Sequence, residues 1–334
     1  MILVTGANGL VGSYLCRELL KQAVPVRALK RKESNLRLVA DIADQIQWVD
    51  GDVNDIMALE DAMQDITHIY HCAGAIAYTA KHAQQVMRVN QQGTENVVNL
   101  ALEKQIKKLV HVSSIAALGR TGKTGEHVNE DAPWNMKHLT TPYAQSKFAA
   151  EREVWRGIAE GLNAVIINPG LILGAGNWNS GSSKLFETVY RQFPFYTTGI
   201  TGYVDVRDVV RIAVALMQSD IQNERFVLVS ENVIFRDLMF MMADSLGVKR
   251  PSKEAGKFLS EIAWRLEWFK SLFSNDEPTV TRQTARIANS ITYFDSTKIR
   301  QALNYAMIPI QQTITETAQS FLHEKQDGKF HPLG

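Results

Sequence analysis

The sequence predicts an α/β protein with a doubly wound parallel sheet and a smaller lobe towards its carboxyl end. Apolar runs alternate with amphipathic stretches from residue 1 to about residue 168, as in parallel sheets covered by helices on both faces. A glycine-rich turn follows the first apolar run, and the alternation lapses after Gly170. With 334 residues, the chain exceeds one average domain.

The order of the elements follows from this alternation. Strands are expected near residues 1–5, 24–29, 46–50, 67–72, 107–113 and 163–168, and helices near 10–21, 34–44, 55–63, 81–104 and 142–161. The pattern returns with a helix over Arg207–Gln218 and a strand over Arg225–Val229. The predicted sheet domain is 1–169 together with 203–229, and the lobe is mainly 170–202 and 230–334.

The glycine-rich turn after the first strand has its glycines at a spacing of three, in Thr5-Gly6-Ala7-Asn8-Gly9-Leu10-Val11-Gly12. Residues without a Cβ allow a sharp strand-to-helix turn and a close approach to a pyrophosphate, which the amides of the new helix can bind. The alternative is a tight turn without a ligand. We expect a dinucleotide-phosphate site formed by Gly6, Asn8, Gly9, Leu10, Val11 and Gly12.

A tyrosine and a lysine, Tyr143 and Lys147, are four residues apart in a predicted helix. This spacing is about one helical turn, so both side chains lie on one face. A free tyrosine has a pKa of about 10, and a nearby ammonium favours its phenolate form. The pair therefore predicts an acid/base tyrosine that a lysine tunes, with a chance pairing on a helix surface as the alternative.

Together the two motifs resemble the short-chain dehydrogenase/reductase superfamily, and specifically its extended branch of dihydroflavonol-reductase-like enzymes and sugar-nucleotide epimerases and dehydratases. Further short matches follow in the order of that family: Gly51–Asp55, His71–Gly74, Val89–Val97, Val112–Ser114, Asn168–Gly170 and Tyr203–Val209. The resemblance covers nearly the whole chain. It implies a Rossmann-type sheet, a nicotinamide cofactor and an oxidoreductase activity.

The resemblance also implies roles for single residues. The family places its catalytic serine five residues before a glycine, so Gly119 points to Ser114, whose hydroxyl would hold the substrate oxygen. Ser113 is expected to bond to the backbone. Lys147 would also bond to the nicotinamide ribose.

Further cofactor contacts are expected where strands end. Asp52 and Val53 match the position beside the adenine, although an aspartate could instead cap the helix that begins near Asp55. Asn90 could support the cofactor or satisfy a neighbouring strand. The remaining expected contacts are Ala73, Gly74, Pro169 and Gly170.

The end of the second strand indicates the cofactor. Enzymes that use NAD usually carry an acid there, which accepts from the ribose hydroxyls and repels a 2′-phosphate. Here Leu29 is followed by Lys30-Arg31-Lys32, without an acid before Glu33. This favours NADP over NAD, and Arg31 occupies the position of the phosphate-binding arginine of similar reductases. A solvated basic turn is the alternative.

The resemblance leaves several reactions to compare. Dehydratases of this type carry Thr-Asp-Glu at the serine, whereas this chain has Ser114-Ile115-Ala116-Ala117, which also lacks the glutamate of decarboxylases. We expect NADP(H)-dependent reduction of a ketone or aldehyde. An NAD-dependent nucleotide-sugar epimerase is the alternative, with Lys184 and Arg191 to hold a nucleotide diphosphate. A non-enzymatic NADP-binding regulator is a further alternative, but such proteins typically lose the tyrosine or the lysine.

Aromatic residues indicate an apolar carbonyl substrate. The expected substrate contacts are Tyr78, Trp178 and Tyr203, and core packing of the lobe is the alternative. Other aromatic residues considered for this pocket are Trp134, Phe186, Phe193, Phe195 and Tyr196.

Composition restricts the partners and the location. With 36 basic and 35 acidic residues, the net charge of +1 predicts no nucleic-acid partner. No apolar run has the roughly 18 residues of a membrane span. Cys16 and Cys72 are expected as reduced thiols, and a first strand starting at Met1 leaves no room for a leader. We expect a cytoplasmic protein without a metal site.

Two apolar helices, near 81–104 and 142–161, predict a homodimer. The apolar residues concerned are Val86, Val89, Val97, Leu100, Ala101, Phe148, Ala149, Ala150, Val154 and Trp155. The amphipathic stretch Phe258–Phe273 is expected to make a lobe or subunit contact, in preference to lying on a membrane.

Overall fold

The computed structural model describes residues 1–76, 82–135, 141–256 and 288–334. The strands are β1 (Ile2–Thr5), β2 (Val26–Lys30), β3 (Gln47–Asp50), β4 (His68–His71), β5 (Lys108–Val112), β6 (Glu126–Val128), β7 (Ala164–Pro169), β8 (Leu171–Leu173), β9 (Phe195–Tyr196), β10 (Ile200–Asp205), β11 (Glu224–Leu228), β12 (Glu231–Ile234), β13 (Lys253–Glu254) and β14 (Thr292–Phe294). The helices are α1 (Leu10–Lys21), α2 (Ile56–Ala62), α3 (Ala83–Met87), α4 (Gly93–Glu103), α5 (Pro142–Ala159), α6 (Lys184–Tyr190), α7 (Val206–Gln218), α8 (Phe235–Leu246), α9 (Thr297–Leu303) and α10 (Ile310–Asp327).

The central sheet has seven parallel strands in the order β11-β7-β5-β4-β1-β2-β3. The chain winds from β1 outward through β2 and β3, and then returns to β4 on the other side of β1. The strand order therefore reverses between β1 and β4, where open α/β sheets bind ligands at the carboxyl ends of their strands. The predicted Rossmann-type fold is confirmed.

The two faces of this sheet contact different helices. Alternate strand residues such as Val4 and Val110 join the apolar cluster that contains Leu15 of α1 and Val209 of α7. The intervening residues point to the opposite face, where Leu3, Leu109 and Ile166 pack with apolar residues of α2, α4 and α5. Each strand is thus covered on both sides, as the alternation of apolar runs predicts.

The remaining strands form smaller sheets. A three-stranded sheet has the order β12-β10-β8, with β10 antiparallel to β12 and parallel to β8. Two further pairs join β9 to β13 and β6 to β14. Leu238 of α8 and Phe321 of α10 belong to the same apolar cluster as Leu15 of α1. The core of this part is therefore continuous with one face of the central sheet, and the proposed domain division stays a prediction.

One helix prediction is wrong, and a second is confirmed with a π-helical turn inside the helix. The helix expected near 34–44 is replaced by two 3₁₀ turns, Arg37–Val39 and Ala43–Gln45. The side chain of Trp48 donates to the Ala43 carbonyl, at 2.9 Å, and so takes an acceptor that a continuing helix would use. The helix expected near 81–104 is interrupted between α3 and α4 by a π-helical turn, Arg88–Gln92.

The apolar residues behind the homodimer prediction are mostly buried by the chain itself. Val97 and Leu100 of α4 and Val154 of α5 pack beneath the central sheet. Phe148 stacks on Trp134, with ring centroids 4.1 Å apart. The homodimer therefore stays a prediction with less apolar surface to support it.

The stretch Phe258–Phe273 lies outside the described residues.

Candidate active site

The turn after β1 has the shape that the spacing of its glycines predicts. Gly6 has a φ of +69°, and a Cβ there would lie 2.7 Å from the Ala73 nitrogen. A Cβ at Gly12 would lie 2.2 Å from the Gly6 oxygen. Gly9 precedes α1 and offers no side-chain cap to its first amides. The cradle fits the pyrophosphate of a dinucleotide, because the backbone can approach closely and helix amides face the anion.

The predicted helix with the tyrosine and lysine is α5. Thr141 caps it by accepting from the Ala144 amide at 3.0 Å, and Pro142 occupies its first position, so Tyr143 lies in the first turn. Lys147 is buried, and its Nζ donates to the Val112 carbonyl at the end of β5 at 3.0 Å. Burial lowers the pKa of Lys147 to about 8, although the negative charge of Glu151 opposes the shift.

The two adjacent serines after β5 have different partners. The Ser114 Oγ accepts from the Ala116 amide at 3.1 Å and so caps a short 3₁₀ turn. That bond leaves the Ser114 hydroxyl proton available for a substrate oxygen. The expectation that Ser113 bonds to the backbone is wrong, because its hydroxyl donates to Glu151 Oε1 at 2.6 Å.

Asn90 is buried in the π-helical turn and joins two parts of the site. Its Nδ2 donates to the Ala75 carbonyl at 2.9 Å and to Ser146 Oγ at 2.8 Å, while its Oδ1 accepts from the Ala75 amide at 2.7 Å. Both amide hydrogens are thus committed to protein partners. Asn90 ties the loop after β4 to the helix of Tyr143.

Gly74, in that loop, lies between Asn90 and Lys147. A Cβ at Gly74 would be 3.2 Å from Lys147 Nζ and 3.4 Å from Asn90 Oδ1. A side chain here would crowd both groups. The position therefore keeps the space beside the lysine open, as a cofactor contact requires.

A hydrogen-bond chain through His71 lies beneath this loop, and the sequence analysis did not identify it. Thr94 Oγ1 donates to the Asn90 carbonyl at 2.6 Å, so it accepts from His71 Nε2 at 2.9 Å. The other ring nitrogen of His71 then accepts from Thr5 Oγ1 at 2.7 Å, and Thr5 accepts from the Ala73 amide at 3.2 Å. Burial lowers the pKa of His71 to about 3, which agrees with a neutral ring.

A second buried group that the sequence analysis missed is Glu151, one helical turn beyond Lys147. It accepts from Ser113, from Asn168 and, at 3.4 Å, from Arg225. Asn168 also donates to the Ser114 carbonyl at 3.0 Å. The continuing spacing of four residues, Tyr143 to Lys147 to Glu151, is the sequence signal that could have identified it.

At the predicted adenine position, the two alternatives for the aspartate resolve into two residues. Asp55 caps α2 by accepting from the Ala58 amide at 3.1 Å. Asp52 accepts instead from the Asn54 amide at 3.0 Å. Val53 is buried, and a Cβ at Gly93 would come within 2.5 Å of it. Their contact with an adenine stays a prediction.

The segment Lys30-Arg31-Lys32 at the end of β2, called here the basic corner, carries less net positive charge than its sequence indicates. Lys30 forms an ion pair with Asp50, its register partner on β3. An acid therefore does reach this corner, although from another strand. Arg31 and Lys32 are exposed, and the Arg31 side chain has no ion pair or hydrogen bond with any residue in the described ranges. Asn8, from the glycine turn, contacts the segment after β2 by donating to the Asn35 carbonyl at 3.4 Å.

The described substrate candidates are core residues, which corrects that expectation. Trp178 packs edge-on against Phe186 and Phe321, and its indole donates to Glu324 at 2.8 Å. Tyr203 is fully buried in the same apolar cluster. The apolar surroundings of β10 and α10 bury them, so neither is retained as a substrate contact. Tyr78 lies outside the described residues.

Pro169 and Gly170, at the end of β7, are closely surrounded by protein atoms, which leaves little space for a ligand. Pro169 is buried within the strand. A Cβ at Gly170 would lie 2.5 Å from the Gly202 oxygen. Gly170 thus permits the close approach of β7 to β10, and any contact of this pair with a cofactor stays a prediction.

Comparison with known proteins agrees with this geometry. Over 331 residues the chain is 29% identical to a Synechocystis sp. protein with the provisional name dihydroflavonol 4-reductase, covering 95% of this chain and 93% of that protein. It is 26% identical over 311 residues to sterol demethylase protein B of Methylococcus capsulatus, and the match covers 90% of this chain and 92% of that protein.

Solved structures share the fold. The crystal structure of gox2253 has a TM-score of 0.82 and 28% identity, and covers 99% of each chain. DesIV, a dTDP-glucose 4,6-dehydratase from Streptomyces venezuelae solved with NAD and TYD bound, has a TM-score of 0.79 and 18% identity, covering 97% of this chain and 98% of its own.

A family match covers most of the chain. Residues 2–228 match the NAD dependent epimerase/dehydratase family. This range contains the glycine turn, the serine loop and the tyrosine–lysine helix. The match and the named relatives make the protein an enzyme of the NAD(P)-dependent oxidoreductase type. The chain belongs to the NAD dependent epimerase/dehydratase family, the extended branch of the short-chain dehydrogenases/reductases that its motifs resemble.

Proposed function

We propose that this protein is an NADP(H)-dependent reductase of a ketone or aldehyde, with Ser114, Tyr143 and Lys147 as its catalytic residues. The observation that carries the proposal is the buried Lys147. Its Nζ donates to the carbonyl of Val112, the last residue of β5, which Ser114 follows two residues later, and Lys147 itself lies one helical turn from Tyr143. Buried lysines are costly, so one placed here is well explained by catalysis.

Each of the three side chains has a role that its environment supports. When bound, the nicotinamide supplies a hydride to the substrate carbon. Tyr143 gives a proton to the carbonyl oxygen during reduction and takes one back during oxidation. The positive charge of Lys147 stabilises the phenolate form of Tyr143. Ser114, whose oxygen accepts from the Ala116 amide, donates a hydrogen bond to the same substrate oxygen and keeps its proton.

Reduction is favoured over the other reactions of the family. The loop after Ser114 offers apolar residues where dehydratases carry two acids. Relatives include cinnamoyl-CoA reductase 1 of Petunia hybrida, 26% identical over 250 residues, in addition to the reductase-named Synechocystis protein. For the epimerase alternative, Arg191 would hold a nucleotide diphosphate, but its side chain already pairs with Glu187 at 2.6 Å.

Mutation of the tyrosine tests the reaction. NADPH oxidation is measured with a panel of ketones and aldehydes, and mass spectrometry identifies any copurified NAD. Tyr143→Phe is expected to lower kcat by two to four powers of ten, roughly the contribution of a general acid, with NADPH affinity nearly unchanged. Lys147→Ala should lower both kcat and the affinity for NADPH. Wild-type turnover in Tyr143→Phe would refute the proposal, and tightly held NAD without reductase activity would favour the epimerase.

The preference for NADP rests on Arg31. Because Asp50 neutralises Lys30, the exposed Arg31 and Lys32 supply the charge for a 2′-phosphate. Calorimetric titration should show tighter binding of NADPH than of NADH, and Arg31→Ala should remove most of the difference. Lys21→Ala, an exposed cation at the other end of α1, is the control. Equal affinities in the wild-type protein would refute the preference.

We further propose a cytoplasmic homodimer. The unpaired thiols Cys16 and Cys72 fit a reducing compartment. For the dimer, Trp155 of α5 is only partly buried against the apolar cluster and so keeps some exposed apolar surface. No helix in the described ranges is long and apolar enough to cross a membrane. Light scattering should give about 75 kDa, twice the chain mass of 37.4 kDa. A mass near 37.4 kDa at micromolar concentration would exclude the dimer.

A further inference from the structure

Glu151 is a carboxylate that is only 1% exposed, in the interior between α5 and the central sheet. A buried carboxylate costs several kcal/mol unless hydrogen bonds and opposite charges compensate it. It follows Lys147 by four residues, so Tyr143, Lys147 and Glu151 lie along one face of α5. A charge at this depth needs an explanation beyond helix packing.

The hydrogen bonds of Glu151 connect α5 to the segment that follows β5 and contains Ser113 and Ser114. Its Oε1 accepts from Ser113 Oγ at 2.6 Å. The same oxygen accepts from Asn168 Nδ2, and Asn168 also donates to the Ser114 carbonyl at 3.0 Å. One carboxylate oxygen is thereby linked to Ser113 directly and to the Ser114 carbonyl through Asn168. Because Tyr143 is on α5 and Ser114 follows β5, this link joins the two elements that carry the two hydroxyls.

The charged and titratable groups around Glu151 and Lys147 come from three strands. Arg225 of β11 pairs with the other oxygen of Glu151 at 3.4 Å. His71 and His111 face Lys147 from β4 and β5, and burial lowers the pKa of both so that they are neutral. Cys72 is a buried neutral thiol, whose pKa burial raises. Burial raises the pKa of Glu151 itself, and the hydrogen bond from Ser113, the charge of Arg225 and the hydrogen bond from Asn168 oppose that shift and favour its charged form. Glu151 is then the nearby negative charge that offsets the burial of Lys147.

We propose that Glu151 is a positioning residue, which holds Ser114 and Tyr143 at their working separation and places a negative charge beneath Lys147. The inference rests on the proposed function, since it assigns the roles of Ser114, Tyr143 and Lys147. Since Glu151 is only 1% exposed, it acts through its protein partners. Its effect passes through Ser113 and Asn168 to the serine, and along α5 to the lysine.

The charge effect is measured without a substrate. NMR of ¹³C-labelled lysine in the full-length protein follows the titration of Lys147, whose signal is identified by its loss in Lys147→Met. Glu151→Gln should move the titration midpoint down by about one pH unit, as expected for loss of one nearby opposite charge. Glu160→Gln, which removes a carboxylate 49% exposed just after α5, is the matched control. An unchanged midpoint in Glu151→Gln overturns the charge effect.

The positioning effect is measured with NADPH and the best carbonyl substrate of the panel. Ser113→Ala keeps the buried charges and removes the bond to β5, so kcat should fall about tenfold, the cost of one lost charge-assisted hydrogen bond, while the Kd of NADPH stays within twofold. Wild-type kcat in Ser113→Ala overturns the positioning, and this variant decides the question if Glu151→Gln does not fold. Wild-type turnover in Tyr143→Phe would instead refute the reaction itself, and would leave the NMR result standing.

Discussion

The two faces of the central sheet differ in what they bury, although the same strands form both. Tyr70 and Val110 point to the α1/α7 face and join an apolar cluster. The next residues along those strands, His71 and His111, point to the α4/α5 face, where their rings lie 5.2 Å apart. The α1/α7 face is thus apolar at these positions, whereas the α4/α5 face carries, beside its own apolar cluster, a layer of polar side chains close to the proposed catalytic residues.

The polar layer is tolerated because hydrogen bonds satisfy nearly all of it. His71 has a partner for each ring nitrogen, and Asn90 and Glu151 bond through both ends of their side chains. The exceptions in the described ranges are His111, neither of whose ring nitrogens has a hydrogen-bond partner, and the Oδ1 atom of Asn168. Buried polar residues on the α4/α5 face are therefore held in place by specific hydrogen-bond partners.

The largest effect on stability is expected on the apolar face. Leu15→Ala, at a fully buried position of α1, should lower the free energy of unfolding by about 2–5 kcal/mol through lost burial and the remaining cavity. Urea denaturation measures it, with Leu20→Ala, half-buried on the same helix, as the smaller control. The kcat of the folded protein should not change, and a strong loss of kcat would break the distinction between the faces.

A smaller loss in the free energy of unfolding is expected from Thr94→Val on the α4/α5 face. Valine keeps the shape but removes the acceptor for His71 and the donor to the Asn90 carbonyl. Leaving these groups unpaired should cost about 1–3 kcal/mol. Thr317→Val is the matched control, because this buried threonine bonds only within its own helix. Urea denaturation compares the two, and equal costs would contradict a specific role for the chain through His71.

The pH dependence of stability tests the neutral state of His71. Its pKa is about 3 in the folded chain and about 6.5 when unfolded, so the unfolded chain binds the extra proton. Stability is therefore lost as the pH falls from about 6.5 towards 3, by up to about 1.4 kcal/mol per pH unit. Urea denaturation between pH 7 and pH 5 should show a shallower slope in His71→Gln. An unchanged slope would show that His71 is protonated when folded.

The smallest effect on stability is expected at His111, where a substitution should stabilise the fold. Because both of its ring nitrogens are buried without partners in the described part of the chain, His111→Leu should raise the free energy of unfolding by about 1 kcal/mol at pH 7. The gain should increase at pH 5, since burial holds the pKa of His111 well below its usual range. A loss of stability at both pH values would mean that His111 has an essential contact in the native protein.

Local patterns predicted the parts of the site whose geometry comes from neighbouring residues. The spacing of Gly6, Gly9 and Gly12 determines a strand-to-helix turn without a side chain in the way. The interval from Tyr143 to Lys147 determines a shared helix face in the same manner. Such features depend on steric limits and helical periodicity within a few residues, and the structure has them where the sequence predicts them.

Contacts between distant residues decided the rest. The ion pair of Lys30 with Asp50 joins residues 20 apart, and the hydrogen bond of Ser113 to Glu151 joins residues 38 apart. The residues that neighbour each partner in the sequence do not indicate which side chain it contacts in the fold. Trp178 was expected at a substrate and lies instead against Phe321.

The sequence alone therefore determined the sheet, the glycine turn and the tyrosine–lysine face, because backbone sterics and the periodicities of strands and helices are encoded locally. Only the tertiary structure decided the neutral ring of His71, the buried charge of Glu151 and the pairing at the basic corner. Burial and hydrogen-bond partners set the charge state of a side chain, and both exist only after segments far apart in the chain have packed together.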